Sequence, residues 1–402
     1  MSESETSPAP KPRAPVPRAV WMLGLTSLFM DMSTELIQSL LPLFMVSVLG
    51  APIAVVGLIE GMAEATASFT KILSGAVSDQ LGKRKALALA GYGLAALSKP
   101  FFPLAQGLGT VFMARFLDRI GKGVRDAPRD ALIADIVPPE SRGAAYGLRQ
   151  ALDTLGALGA PLLAFALMWL FAGNFRHVFW FACIPALFSV LTLAFGVPEP
   201  AVKRSAERRP FPLRPGELAR LGSQFWLLIG AILLLLLPRF SESLLLLRAS
   251  GLGLANAWVP LVMAAMNLVY APVAAPAGRL ADRVGRIPLL FAGTVVLVAA
   301  QTLLALAGSP ALVFAGAMLW GLQNGLIQGA MSALVADAAP KDLAGTAFGV
   351  FNLVSGLAVL AGSWAAGEIW DLAGASASFL AGAAAAALGL AALGLLPRRG
   401  TT

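Results

Sequence analysis

Twelve apolar runs organise this chain. They lie at about 20–49, 52–79, 86–105, 109–136, 143–172 and 176–196, and again at about 222–250, 254–281, 288–307, 310–338, 343–370 and 374–396. Each reaches the roughly 20 residues that a helix needs to cross the hydrocarbon of a bilayer. Hydrocarbon offers the backbone no hydrogen-bond partner, so such runs are expected to be spanning helices. Composition agrees: 57% of the residues are hydrophobic and 13% charged, against roughly 45–50% and 25% in soluble domains. An all-α membrane protein of twelve helices is the fold class that follows.

The runs divide six and six around residues 197–221, whose prolines and cations read as a solvated linker. The domain plan is a tail at 1–18, a six-helix bundle at 19–196, the linker at 197–221, a second bundle at 222–396 and a short terminus at 397–402. Met1 to Arg18 is rich in proline, serine and charge and has no apolar centre, so it reads as a disordered tail and not a cleaved signal peptide. Lysine and arginine set the orientation. The tail, Lys83 to Lys85, Arg142, the linker, Arg283, Arg286, Arg398 and Arg399 share one side, while opposite turns such as Gly50-Ala51-Pro52 and Gly308-Ser309-Pro310 carry almost no cations. The expectation is that both termini are cytoplasmic.

Two internal repeats relate the halves. Gly75-Ala-Val-Ser-Asp79-Gln-Leu-Gly82-Lys83 returns as Gly278-Arg-Leu-Ala-Asp282-Arg-Val-Gly285-Arg286, with Asp79 and Asp282 offset by 203. Asp135-x-x-Pro138 followed by Gly143, Ala145 and Gly147 returns as Asp337-x-x-Pro340 followed by Gly345, Ala347 and Gly349, offset by 202. Duplication is the reading. In each frame the first glycine is expected to let a neighbouring helix approach, and the second to end its helix. Gating contacts follow as an expectation: Asp79 with Arg84, and Asp282 with Arg286, tie helix ends together at the cytoplasmic face, and Asp79→Asn biases the protein inward.

With these frames in place the chain resembles the major facilitator superfamily over nearly its whole length after the tail. The resemblance implies two bundles around a central site and alternating access by rocking of the halves. Gly147, Gly156, Ala160 and Pro161 follow the Gly-x8-Gly-x3-Gly-Pro spacing that the family's antiporters carry on helix 5, with Ala160 in place of a glycine. Small residues there let helix 5 pack closely and bend at Pro161. The family's helix 4 arginine is carried over to Arg115 or Arg119, and Arg115 lies deeper.

Ionisable groups in spanning helices cost something like 2.5–3.5 kcal/mol each at the bilayer centre on insertion scales, so each needs a reason. Asp31 with Glu35, and Glu60 with Glu64, each present two carboxylates on one helical face. Lys71, Arg115, Arg119, Lys122 and Arg149 beside Asp153 answer them. In the second half only helix 7 is comparably charged, through Arg239, Glu242 and Arg248. The helices after it offer neutral Asn267, Tyr270, Gln323, Asn324, Gln328 and Asn352. Asp118, Lys122, Arg125, Asp126, Arg129 and Asp130 read as internal salt bridges near the cytoplasmic end. Asp31, Glu35, Glu64, Arg115, Arg149 and Arg239 read as cavity residues, with Glu60, Asp153, Phe240, Glu242, Asn267, Gln323 and Asn324 as substrate contacts.

A proton on Asp31 or Glu35, with Glu64 next and Arg115 assisting, would compete with a cationic substrate and so couple antiport. Two readings stay open: a proton-coupled exporter of small amphiphilic or charged compounds, or a carrier of a polar charged metabolite held by cations such as Arg115 or Arg149. A non-transporting receptor is a third, minor one. One cysteine, Cys183, and one histidine, His177, leave no disulfide framework and no zinc or haem ligand set. No catalytic triad or Walker pattern is present, so no enzyme activity and no cofactor are expected. The net charge of +8 falls in short loops and marks topology rather than nucleic-acid binding. The bilayer, a small molecule and protons are the expected partners of a monomer.

Overall fold

A computed structural model describes residues 17–199, 215–340 and 343–394. The tail, most of the linker and the last eight residues lie outside them, as does the Asp79 side chain. Among the described residues all regular structure is helical.

The first half comprises α1 (Arg18–Gln38), α2 (Leu41–Ser47), α3 (Ile53–Leu81), α4 (Arg84–Ser98), α5 (Phe101–Leu104), α6 (Leu108–Ile136), α7 (Arg142–Leu170) and α8 (Phe175–Gly196). After the short α9 (Pro215–Arg220) come α10 (Gly222–Leu236), α11 (Ser243–Gly251), α12 (Pro260–Val284), α13 (Arg286–Leu306), α14 (Pro310–Ala338) and α15 (Ala344–Gly394). Gly374, at φ 86°, interrupts α15 and makes it two crossings. Taking α1 with α2, α4 with α5, and α10 with α11 gives twelve crossings in two sets of six.

Three runs read as continuous helices are therefore broken. The first crossing of each half breaks at an equivalent place, after Gln38 and after Leu236. Proline is the local cause: Pro42 opens α2, and Pro238 follows α10 and cannot donate to its last turn. The exposed backbone is satisfied elsewhere. The Pro238 carbonyl accepts from Gln301 Nε2 at 2.6 Å, and the Ser241 N–H donates to Ser363 Oγ at 2.9 Å. Lys99-Pro100 breaks the third crossing in the same way. The end of the predicted linker also proves helical, as α9, with Glu217 accepting from Thr346 Oγ1 at 2.7 Å.

The repeated frames sit at the end that carries the basic loops. Gly82 ends α3 in the left-handed region at φ 64°, and Gly285 ends α12 at φ 91°. The expected Asp79–Arg84 pair falls on a side chain outside the described residues, and the expected Asp282–Arg286 pair is replaced by another. Arg84 reaches Asp135 at 2.7 Å and donates to the Ala131 carbonyl. Arg286 reaches Asp337 and donates to the Ala333 carbonyl, while Asp282 is exposed. Arg84 and Arg286 thus each bind the aspartate of the second frame in their own half, and the offsets Arg84 to Arg286 and Asp135 to Asp337 are both 202. A Cβ at Gly75 would make ordinary contact with Ala127, and one at Gly278 would touch nothing. Neither glycine carries the close approach expected of it.

Burial shows where the halves meet. At the end opposite the basic loops, one apolar cluster joins both halves: Leu41, Phe44, Met45 and Phe179 of the first pack with Leu244, Leu247, Val259 and Phe379 of the second. At the basic end there are two separate clusters, one around Tyr92, Leu132 and Leu193 and one around Phe225, Leu290 and Met331. The halves are sealed together at one end and apart at the other. The seal is tightest between α3 and α15, where added Cβ atoms at Gly61 and Gly367 would lie 2.7 Å from Leu360 Cα and 2.6 Å from Ala54 Cα. Asp371 of the second half finishes this seam. Its Oδ1 and Oδ2 accept the Ile53 and Ala54 N–H groups at 3.0 and 2.8 Å, capping α3 of the first half.

A carboxylate on a helix N-terminus is worth roughly 1 kcal/mol where it is exposed. Asp371→Asn is expected to raise the labelling rate of a cysteine placed at Leu360, inside the seam, by about fivefold, since each 1.4 kcal/mol is a factor of ten. An unchanged rate would show that the cap contributes nothing to closure.

Candidate functional site

α6 carries the most charge of any spanning helix. Arg115, Asp118, Arg119, Lys122, Arg125, Asp126 and Arg129 follow one another at steps of one and three, so they form a stripe. The helix nests against its neighbours through small residues: a Cβ at Gly121 would lie 2.7 Å from the Gly91 carbonyl oxygen, and one at Gly123 would lie 2.8 Å from that of Ala67. Close approach brings the stripe within reach of acids on α1 and α3. Arg115 Nη2 donates to Glu60 Oε2 at 2.5 Å with both side chains almost fully buried. Arg119 meets Glu64 at 3.1 Å, and both arginines donate to Gln38 Oε1.

Asp118 is shared. Lys99 Nζ lies 2.7 Å from its Oδ1 and also donates to Thr34 at 2.9 Å, while Arg115 and Arg119 stand 3.8 and 3.6 Å from its Oδ2. Lys99 and Gln38 are the site residues that sequence reasoning missed. Lys99 was hidden at the edge of an apolar run beside Pro100, and Gln38, one turn after Glu35, was legible by its spacing.

A cavity of about 630 Å³ lies between the halves. The first half contributes Glu35, Gln38, Glu60, Glu64 and Lys71, and the second Arg239, Phe240, Glu242, Asn267, Asn324 and Gln328. The break between α10 and α11 places Arg239, Phe240 and Glu242 at its wall. Arg239 Nη2 donates to Asn324 Oδ1 at 2.6 Å, and Asn324 Nδ2 donates to Glu242 Oε1 at 3.3 Å. Phe240 packs on Trp320 and Phe379, with ring centroids 5.5 and 5.6 Å away, so it roots the wall in the sealed end. Asn267 crosses between the halves, donating to the Ala157 carbonyl at 3.1 Å.

Among the described residues, Glu35 and Glu242 form no ion pair, and they face the cavity from opposite halves. Of the predicted residues, Arg115, Gln323 and Arg248 are placed differently. Arg115 is buried and does not line the cavity, so the proton role expected of it becomes a structural bridge to Glu60. Gln323 is fully buried with no partner for either end of its amide and does not line the cavity. Arg248 caps α13 by donating to the Leu304, Ala305 and Ala307 carbonyls.

Asp31, Arg149 and Asp153 line a smaller cavity of about 290 Å³, which opens beside the first and shares Glu35, Asn267 and Tyr270 with it. Lys122, Arg125, Asp126 and Arg129, read as bridges only, line it too. Of the helix 5 pattern, Gly156 packs tightly, since a Cβ there would lie 2.8 Å from the Leu28 carbonyl oxygen, and Pro161 is buried inside α7. Gly147 faces open space and has no packing role.

The sequence profile of the Major Facilitator Superfamily matches residues 23–255 and 241–402. An uncharacterized MFS-type transporter of Methanocaldococcus jannaschii is 30% identical over 362 residues, 88% of each chain. The multidrug resistance protein MdtH of Aeromonas hydrophila is 30% identical over 198 residues, 49% of this chain and 47% of that one. Among solved structures, the nucleoside transporter NupG superposes with a TM-score of 0.78 at 14% identity, covering 95% of this chain and all of that one.

Removing one partner of a buried ion pair costs about 3–5 kcal/mol, because the other charge is left desolvated. Glu60→Gln is expected to lower the thermal unfolding midpoint in detergent markedly, and Glu60→Leu with Arg115→Met to restore it. Glu64→Gln, at a half-exposed carboxylate, is expected to change it far less. Equal losses for both single variants would contradict this assignment.

Proposed function

From the premise that this chain belongs to the Major Facilitator Superfamily, and is a multi-pass membrane transporter, we propose that it is a proton-coupled exporter working by alternating access. The observation that carries the reading is the placing of Glu35 and Glu242, unpaired carboxylates from opposite halves on one polar cavity. A proton and an ammonium group compete for a carboxylate that has no cation of its own. With protons bound the substrate leaves; with substrate bound the protons leave.

The basic end is the cytoplasmic side by the positive-inside rule, so the cavity takes substrate from the cytoplasm in this state. Rocking of the halves opens the apolar seal and closes the basic end. Arg84–Asp135 and Arg286–Asp337 hold each half rigid at that end, so that it moves as one body. The partial likeness to MdtH supports export of organic compounds. The second reading, a carrier of a polar charged metabolite, is favoured by one feature: among the described residues Arg239 hydrogen-bonds the neutral Asn324 and forms no ion pair, so it can meet an anionic group.

Proteoliposomes with an imposed pH gradient test this directly, using an amine, a carboxylate and a zwitterion built on one aromatic scaffold, and trapped pyranine to follow protons. Gradient-driven transport of at least one compound is expected, falling about tenfold or more in Glu35→Gln and in Glu242→Gln, as loss of a specific charged contact implies. Transport that ignores the gradient, or that both variants support fully, would remove the proposal.

A further inference from the structure

Gln38 is the last residue of α1, at the break that precedes Pro42, and its amide is held in one orientation. Its Oε1 accepts from Arg115 Nη2 at 3.1 Å and from Arg119 Nη2 at 3.0 Å. A guanidinium only donates and an amide nitrogen cannot accept, so the two arginines settle which end of the amide points at them. Both arginines are almost fully buried and tied to Glu60 and Glu64, which keeps the clamp in place. The opposite end, Nε2, has no acceptor among the described residues. Gln38 lines the larger cavity, and Nε2 is the polar atom it leaves open to that space.

Other amides on this cavity differ. Asn324 is used at both ends, by Arg239 and Glu242. Gln328 is exposed and meets the Tyr270 hydroxyl at 2.9 Å, a group that can donate or accept and so does not fix the amide. Asn267 is fixed in the reverse sense: it donates Nδ2 to the Ala157 carbonyl at 3.1 Å and so can offer only an acceptor. Gln38 follows Glu35 by three residues, which makes the two side chains neighbours on one helical face, with about 5–6 Å between their Cβ atoms. Glu35 forms no ion pair among the described residues and lines the same cavity. A fixed N–H donor beside an unpaired carboxylate matches a positive nitrogen that has an uncharged acceptor oxygen a few bonds away. A plain anion at Gln38 would instead meet Glu35 and Glu64.

We propose that Gln38 is a specificity-determining residue, its Nε2 donating to a carbonyl oxygen of an organic cation whose ammonium lies at Glu35. The proposal rests on the transport reading of this cavity and narrows the substrate class, from amines in general to amines that carry a neutral carbonyl close to the nitrogen. Leu236, Met263 and Met266 line the same space and take the apolar remainder of the molecule. Because the arginines already hold the amide, binding does not have to order it, and the hydrogen bond is formed at little entropic cost.

Binding to the purified full chain in detergent is measured by isothermal titration with two probes: a γ-dimethylamino butyrophenone, and the same tertiary amine with CH2 in place of its carbonyl. The ketone is expected to bind about fivefold more tightly, as one net hydrogen bond implies. Gln38→Glu keeps an oxygen for Arg115 and Arg119 but removes the N–H, so the preference is expected to vanish while the thermal unfolding midpoint holds. Gln38→Met removes both ends and is expected to lose the preference and lower the midpoint. A residue that merely braced the arginines would lower the midpoint in Gln38→Met and leave the ratio of the two dissociation constants unchanged in both variants. Equal binding of the probes by the parent, a preference that survives Gln38→Glu, or binding of neither probe would overturn the proposal. The parent ratio needs no variant, so it decides the matter even if Gln38→Glu does not fold. Proteoliposomes separate the two readings. Gradient-driven transport of both amines at equal affinity removes the role of Gln38 alone, whereas a ketone preference lost in Gln38→Glu, in a protein whose transport ignores the gradient, keeps the subsite and removes the coupling.

Discussion

The cost of a charge at bilayer depth governs this molecule. On insertion scales each ionised side chain near the centre of a spanning helix is unfavourable by something like 2.5–3.5 kcal/mol, and α6 alone carries eight between Arg115 and Asp130. Two solutions appear side by side. Arg115, Asp118, Lys99 and Glu60 are buried together and neutralise one another; they bind α3, α4 and α6 into one unit. Glu35, Lys122, Arg239 and Glu242 are left unmatched, and all of them reach a cavity. Pairing makes the first half rigid, and lack of pairing marks the residues to which the proposed transport role is assigned.

Rigidity in each half matters for the proposed alternating access, in which the motion lies between them. The seal at one end is apolar, with small residues where helices cross, and it closes by shape rather than by ionic bonds. Such a seam separates without leaving buried charges behind. The Asp371 cap is the one polar contact that completes it, at an exposed edge where water replaces the lost bonds cheaply. Charged pairs within a half, by contrast, do not have to break in the proposed rocking. The division of labour is physical: strong interactions inside the bodies, weak and replaceable ones between them.

The architecture was legible in the sequence because apolar length and a half-chain repeat are global signals that single residues do not disturb. Local breaks were less so. Pro42, Pro100 and Pro238 are visible in the sequence, but the runs around them stay apolar, and the capping by Gln301 and Ser363 that makes the last break affordable comes from distant helices. Glu35 and Glu242 stood among the candidates from the start. What the sequence does not carry is partnership: Glu60 and Glu64 share a spacing with Asp31 and Glu35, yet Glu60 is locked to Arg115 while Glu35 is free. The frame Asp282-x-x-x-Arg286 suggested a local pair, but the helix turns the aspartate to solvent and the arginine toward Asp337, so in the second half this arginine joins two frames.

The central claim is that protonation of the acids facing the cavity shifts the balance between its two openings. It is tested most directly by pulsed electron–electron distance measurement between spin labels at Leu81 and Val284, at the basic end of each half, in the Cys183→Ser protein. Lowering the pH from about 8 to about 5, towards the ordinary carboxylate range, is predicted to redistribute the distances in the parent protein and to leave them unchanged when Glu35→Gln and Glu242→Gln are combined. A redistribution that survives both substitutions, or none in the parent, would contradict the account.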